Sequence, residues 1–168
     1  ISDYETDPEA ARACANALRA REVRTGGSVL SREAHDYQIE SGPDGIAAEA
    51  TDRWYRCLLS ETRIETIEGD EAARTLRKEE RSYSTDGFFN LLQLDEWGAI
   101  DPVTGNNLGN DERRTVWTYA APTDPDSPRV GYPASVTVMT PTDPTPHSSR
   151  RFYYDDLPLG QVDAGQLS

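Results

Sequence analysis

Apolar positions in the first half of the chain recur at steps of three and four, the spacing of one helix face. Asp7-Pro8-Glu9 offers a cap, a proline at the first helical position and an acid near the positive end. The spacing predicts a helix from there to about Arg24, with Ala10, Cys14, Ala17 and Leu18 on one face and Gly26 as its C-cap. Val29 to Ile39 fits either a strand pair or a helix, and Gly42-Pro43-Asp44-Gly45 is a break. Ile46, Ala50, Trp54, Cys57 and Leu58 then predict a second helix, Thr62 to Ile67 a short strand, and Asp70 to Arg81 a third, polar helix with Ala73 and Leu76 on its thin apolar side.

The second half changes period. Asp86-Gly87 reads as a turn and Phe88 to Leu94 as a strand. Asp101 to Asp111 reads as a loop. Thr115 to Tyr119 and Ala134 to Met139 alternate as strands do, and Arg151 to Tyr154 makes a last strand. Pro122-Thr123-Asp124-Pro125 recurs as Pro141-Thr142-Asp143-Pro144 around the 134–139 strand, which is ordinary turn chemistry rather than a structural repeat. The expected architecture is α+β: an N-terminal half mainly helical, a C-terminal half mainly antiparallel β, one domain over 1–157 and a loose polar tail over 158–168.

Charge narrows the partners. The 168 residues carry 30 acids against 17 basic residues, a formal charge of −13, and every basic residue but Lys78 is arginine. The arginines are interleaved with carboxylates, as Arg53, Arg56 and Arg63 are with Glu49, Asp52 and Glu61. That disfavours a basic footprint for nucleic acid or for an anionic membrane surface. The near absence of lysine fits a GC-rich genome or a salt-loving source, and loss of structure on removing salt would mark the second.

No apolar run of about 18 residues exists, so no transmembrane span is expected in this chain. The start at Ile1 reads as a processed or trimmed end, from which a signal or anchor has been removed, or as a fragment. Cys14 and Cys57 permit one disulfide. It would close a loop of about 44 residues, worth roughly 4 kcal/mol in the chain-entropy model, and would place the chain outside the cytoplasm.

The candidate chemistry is thin. His35 and His147 stand far apart, and neither Cys-x-x-Cys nor His-Glu-x-x-His occurs. The loop residues Asp101, Asn106, Asn110 and Asp111 supply hard oxygens for a weak calcium candidate without EF-hand spacing, and no other cofactor is expected. No Gly-x-Ser-x-Gly elbow or phosphate-cradling loop is present. Two carboxylate pairs, Asp95-Glu96 beside Trp97 and Asp155-Asp156 after Tyr153-Tyr154, have the aromatic neighbours a raised pKa would need. Tyr119, Tyr132, Tyr153 and Tyr154 are candidates for an interface.

These readings converge on a non-enzymatic, extracytoplasmic interaction or assembly subunit of a surface structure, filament or particle. Its partners would be other protein subunits, copies of itself included. Two alternatives stand beside it: an acidic inhibitor or immunity-type protein offering carboxylates to a basic target, and a small secreted hydrolase built on a carboxylate pair.

Overall fold

The computed structural model describes residues 12–41, 55–67, 74–85, 88–124 and 131–168. The fold is all-β, which overturns the expected α+β architecture; beyond the helical pair Arg12-Ala13 the described residues form strands, turns and loops. The strands are β1 (Ala20–Thr25), β2 (Ser28–Ser41), β3 (Tyr55–Ile67), β4 (Arg74–Tyr83), β5 (Leu91–Ile100), β6 (Arg113–Tyr119), β7 (Ala121–Pro122), β8 (Pro133–Met139), β9 (Ser148–Arg151) and β10 (Gln161–Val162). Eight of them form an antiparallel sheet in the order β1-β2-β3-β4-β5-β6-β8-β9, and β10 pairs with β7 in parallel.

Where the described residues test the three predicted helices, strands stand in their place from Ala20, Tyr55 and Arg74 on, for one physical reason. Beyond residues 1–11, which lie outside the described residues, the first predicted helix gives way to β1, and Gly26-Gly27 is the β1–β2 hairpin turn rather than a helix cap. Both glycines carry positive φ, 53° and 90°, as a two-residue hairpin loop requires. The second helix spans 46–54, outside the described residues, and then Cys57 and Leu58, which lie in β3. The third becomes β4 from Arg74 on, while 70–73 fall outside the described residues. Arg, Lys, Glu and Leu favour helices only weakly, and pairing with neighbouring strands overrides that preference.

The chain divides into two compact units, Ile1–Arg81 with Glu96–Asp111, and Ser82–Asp95 with Glu112–Ser168. In the first, β2 and β3 run antiparallel, with Asp36 opposite Glu61 and Tyr37 opposite Leu59. Ser60 is therefore an extra residue, a bulge, and its hydroxyl donates to the Asp36 carbonyl at 3.0 Å. The bulge switches the parity of β3, so Thr62 and Ile64 share a face with Leu59 and Cys57. His35, Tyr37 and Ile39 lie on that same face from β2.

The segment before β1 is tied to this face. Cys14 is bonded to Cys57, with Cα atoms 5.2 Å apart. The Tyr37 hydroxyl donates to the Leu18 carbonyl at 2.9 Å, and the Arg19 guanidinium sits 5.0 Å from the centre of the Tyr37 ring. The opposite face carries a row of ion pairs, with Leu58, Ile67 and Leu76 among them. Arg24 pairs with Glu22, Glu22 with Arg32, Arg32 with Glu65, and Glu65 with Arg74, a ladder crossing four strands. Such a strand alternates in the sign and partner of its charges rather than in hydrophobicity, which hides the period of two.

The second unit has its own small core. Ala120, Ala134, Tyr154 and Val162 are buried, and Tyr132 and Phe152 pack against them. The polar 158–168 segment is folded back rather than loose. Val162 is fully buried, Tyr154 bridges Leu167, and the Ser168 amide donates to the Tyr153 carbonyl at 2.9 Å. Asp155 holds this segment: its carboxylate accepts from the amides of Asp163, Gly165 and Gln166 at 2.8, 2.9 and 3.0 Å.

Candidate functional site

Strand β8 alternates Val136 and Val138 with Ser135 and Thr137, so one face is apolar and the other hydroxylic. On the hydroxylic face Thr118 meets Ser135 at 2.8 Å, and Thr137 meets Ser149 at 3.4 Å. Strand β9 pairs with β8 and ends the strand order: Val138 faces Ser148, Thr137 faces Ser149, Val136 faces Arg150 and Ser135 faces Arg151. The Phe152 amide donates to the Ala134 carbonyl at 2.9 Å, in the same register. That bond fixes the phase of the ladder. Ser148, Arg150 and Phe152 turn their main-chain groups to β8, while those of Ser149 and Arg151 point away from it.

Among the described residues nothing bonds those outward N–H and C=O groups. Beside them lies a half-open groove of about 310 Å³ lined by Val136, Val138, Ser148, Ser149, Arg150 and Phe152. Arg150 shares the groove face, and Arg151 the hydroxylic face. Both arginines are exposed, and among the described residues neither has an acidic partner. Most other described arginines in strands are spent on carboxylates: Arg21 on Glu33, Arg63 on Asp36, Arg81 on Glu79 and Arg114 on Asp95.

The β1 edge is also open but differs in kind. The His35 amide donates to the Arg19 carbonyl at 2.9 Å, so Ala20 and Glu22 turn outward. There Glu22 is held by both Arg24 and Arg32, and these bonds lower its pKa, Arg24 contributing most. Paired charges of this sort guard an edge against another strand.

The residues singled out in sequence are scattered. Tyr154 is buried, donates to the Pro133 carbonyl at 3.0 Å and meets Tyr132 edge-on at 5.4 Å; burial raises its pKa, with Tyr132 adding to the effect. Tyr119 donates to the Leu91 carbonyl at 2.8 Å, and burial pushes its pKa up. Of the four interface tyrosines only Tyr153 is exposed. Of the four oxygen donors weighed for calcium, Asp101 already accepts from the amides of Val103 and Thr104, at 2.8 and 3.1 Å. Those two bonds, led by Val103, lower its pKa. Asp111 lies instead over Gly98, where any side chain on that strand residue would collide with its carboxylate, and Asn106 and Asn110 are exposed. No cluster of three or more His, Cys, Asp or Glu suited to a metal occurs among the described residues.

The carboxylate pairs are similarly engaged. Asp95 is buried and accepts both Nε and an Nη of Arg114 at 2.7 Å, with Gln93 donating at 2.9 Å. The Asp95 bond holds the Arg114 pKa above its usual value, against the effect of partial burial. Burial works to raise the Asp155 pKa, but the amides of Gly165, Gln166, Asp163 and Ala164 outweigh it and hold it below the ordinary carboxylate range. His35 sits between Glu33, 3.3 Å away, and the Thr62 hydroxyl, 3.4 Å away. A second cavity, of about 220 Å³, lies in the first unit against Arg77, Glu79, Glu96, Trp97, Gly98 and Asp111. Its Glu79 is bound to Arg81, while Lys78 stacks on Trp97 at 5.6 Å and pairs with Glu80 at 3.1 Å.

Neither a known protein family, nor a curated protein, nor a solved structure matches the chain. No helix among the described residues is long and apolar enough to cross a membrane, a statement that leaves strand-built spans aside.

Sequence reasoning placed the last strand at Arg151 to Tyr154, three residues beyond the start of β9 at Ser148. A signal was present: in a chain of charge −13, no Asp or Glu occurs from Pro144 to Tyr154, and Arg150-Arg151 stand in the middle of that stretch.

Proposed function

We propose that the chain is a non-enzymatic interaction or assembly subunit working outside the cytoplasm, and that it engages another protein by adding a strand to β9. The observation that carries this reading is the row of outward main-chain groups on Ser149 and Arg151 beside an apolar groove. An added strand satisfies such groups, and each hydrogen bond contributes about 1 kcal/mol net. The groove supplies apolar burial and side-chain selection. The Cys14–Cys57 disulfide supports the extracytoplasmic setting, since such bonds persist in oxidising compartments. The aspartates of the two carboxylate pairs that a hydrolase would use are committed elsewhere, Asp95 to Arg114 and Asp155 to backbone amides, which favours the strand edge over that alternative.

Site-directed photo-cross-linking in the native source tests this. A photoreactive residue at Ser149 is expected to capture a partner subunit or a second copy of the chain, and the same probe at exposed Val103 to capture nothing. Equal capture at both positions, or none at Ser149, would contradict the reading.

A further inference from the structure

The partner's chemistry follows from what the two faces of β9 present. We infer that β9 receives an acidic extended segment with the N-to-C pattern apolar–acid–acid–polar–apolar. The inference rests on the strand-addition reading above and goes beyond it by naming the sequence that fits.

An incoming strand places its side chains alternately on the two faces of the sheet. A residue opposite Arg151 shares the hydroxylic face with that guanidinium, and the next residue, opposite Arg150, shares the groove face. Two consecutive acids therefore meet two consecutive arginines that have no other acidic partner among the described residues. Guanidinium–carboxylate contacts of this kind are charge-assisted and directional. Apolar residues opposite Ser148 and Phe152 fall on the groove face, over Val136, Val138 and Phe152. The residue opposite Ser149 joins the hydroxyl row of Thr137 and Ser149. An antiparallel run matches the rest of the sheet and puts the acids before the polar position. A polyanion without a peptide backbone would satisfy the arginines but could not match the alternating N–H and C=O groups of Ser149 and Arg151 in ladder register, so an extended peptide fits better than a polysaccharide or a phosphate.

Two features keep this edge selective. The protein's own charge of −13 would repel an acidic segment at long range, yet no acid lies in the sequence between Asp143 and Asp155. At about 0.15 M salt charges beyond roughly 8 Å are largely screened, so the local arginines dominate close to β9. A basic strand is refused by the same two residues, which is how an edge discriminates among partners.

The test is fluorescence-polarisation titration of the full chain, disulfide intact, with the synthetic peptide Thr-Val-Glu-Glu-Thr-Leu-Thr and its Lys-Lys counterpart, at about 0.15 M salt. Binding of the Glu-Glu peptide, at least tenfold weaker binding of the Lys-Lys peptide, and at least tenfold weakening by the double variant Arg150→Ser/Arg151→Ser are expected. Both side chains are exposed and have no acidic partner among the described residues, so this variant keeps the fold. Ser149→Pro, which removes an outward N–H and leaves the β8 pairing in place, should abolish binding. If the arginine variant binds as tightly as the wild type while Ser149→Pro does not bind, the acidic specificity is wrong and strand addition stands. If Ser149→Pro binds unchanged, strand addition itself is wrong. Failure of the wild type to bind the Glu-Glu peptide overturns the inference, as does a second copy of the chain that occupies the edge and is not displaced by that peptide.

Discussion

Single aspartates in the second unit hold their charge through fixed donors. Asp95 and Arg114 are the clearest case, a buried carboxylate locked by a two-pronged guanidinium. Arg114→Met leaves Asp95 buried without its counter-charge, and chemical denaturation should record a loss of about 3 kcal/mol, since breaking such a pair costs more than replacing it whole. Asp155 acts differently, as an acceptor for the amides of Asp163, Gly165 and Gln166. Its pKa is depressed in the folded chain, so its contribution is complete above the unfolded value of about 4 and is lost as pH falls through the lower folded value. Asp155→Asn preserves the positive-φ backbone that asparagine tolerates and removes the charge. Amide exchange at Gly165 and Gln166 should speed up in that variant at pH 7 and approach the wild-type rate in strong acid. Both aspartates were visible in the sequence as members of acidic pairs, but not as structural anchors. Nothing local distinguishes a carboxylate that will meet Arg114 nineteen positions on from one left in solvent.

At the scale of elements, the legible strands were those with one apolar face. β8 alternates valine with serine and threonine, and its expected span 134–139 differs from Pro133–Met139 by one residue. β6 is similar, with Thr115 to Tyr119 expected and Arg113–Tyr119 observed. The loop between β5 and β6 was also legible, because Asp-Pro, Gly and Asn punctuate it. β2 and β3 were legible only in part, since Val29 to Ile39 fitted a strand pair or a helix and the strand expected over Thr62 to Ile67 is the second half of β3, and β4 was not legible. Their faces carry Glu33, His35, Arg63, Glu65, Arg77 and Glu79, which read equally well as a polar helix. The Ser60 bulge also breaks the period of β3 in its middle. The phase of β9 makes a prediction at this scale. Ser149→Pro removes a hydrogen-bond donor that β8 does not use, so the unfolding midpoint should stay near that of the wild type. Arg150→Pro removes one that pairs with Val136, and should cost roughly 1–3 kcal/mol. A larger loss for Ser149→Pro than for Arg150→Pro would mean that the ladder has the opposite phase.

For the molecule as a whole, the disulfide was the most legible long-range feature. Two cysteines at an even count allow one bridge, and Cys14 is bonded to Cys57 across 43 positions. The expected reason, two helix faces, does not hold for Cys57, which lies in β3; the bridge joins the segment before β1 to the β2–β3 face. Reduction should lower stability by about 4 kcal/mol on the chain-entropy account. Guanidinium titration with and without reductant checks this, and a midpoint insensitive to reductant would show that the staple carries no load. The fold class was not legible, because a helical period was present in residues that pair as strands. For the proposed function, the setting outside the cytoplasm rests on Cys14 and Cys57, which the sequence displays, while the proposed edge depends on a hydrogen-bond phase no sequence displays. That phase is also what can be measured most directly. Hydrogen exchange resolved to single amides should find Ser149 and Arg151 exchanging much faster than Arg150 in the free chain, and becoming protected when the Glu-Glu peptide is added. Protected Ser149 and Arg151 amides in the free chain, or no change on adding the peptide, would contradict β9 as the docking strand.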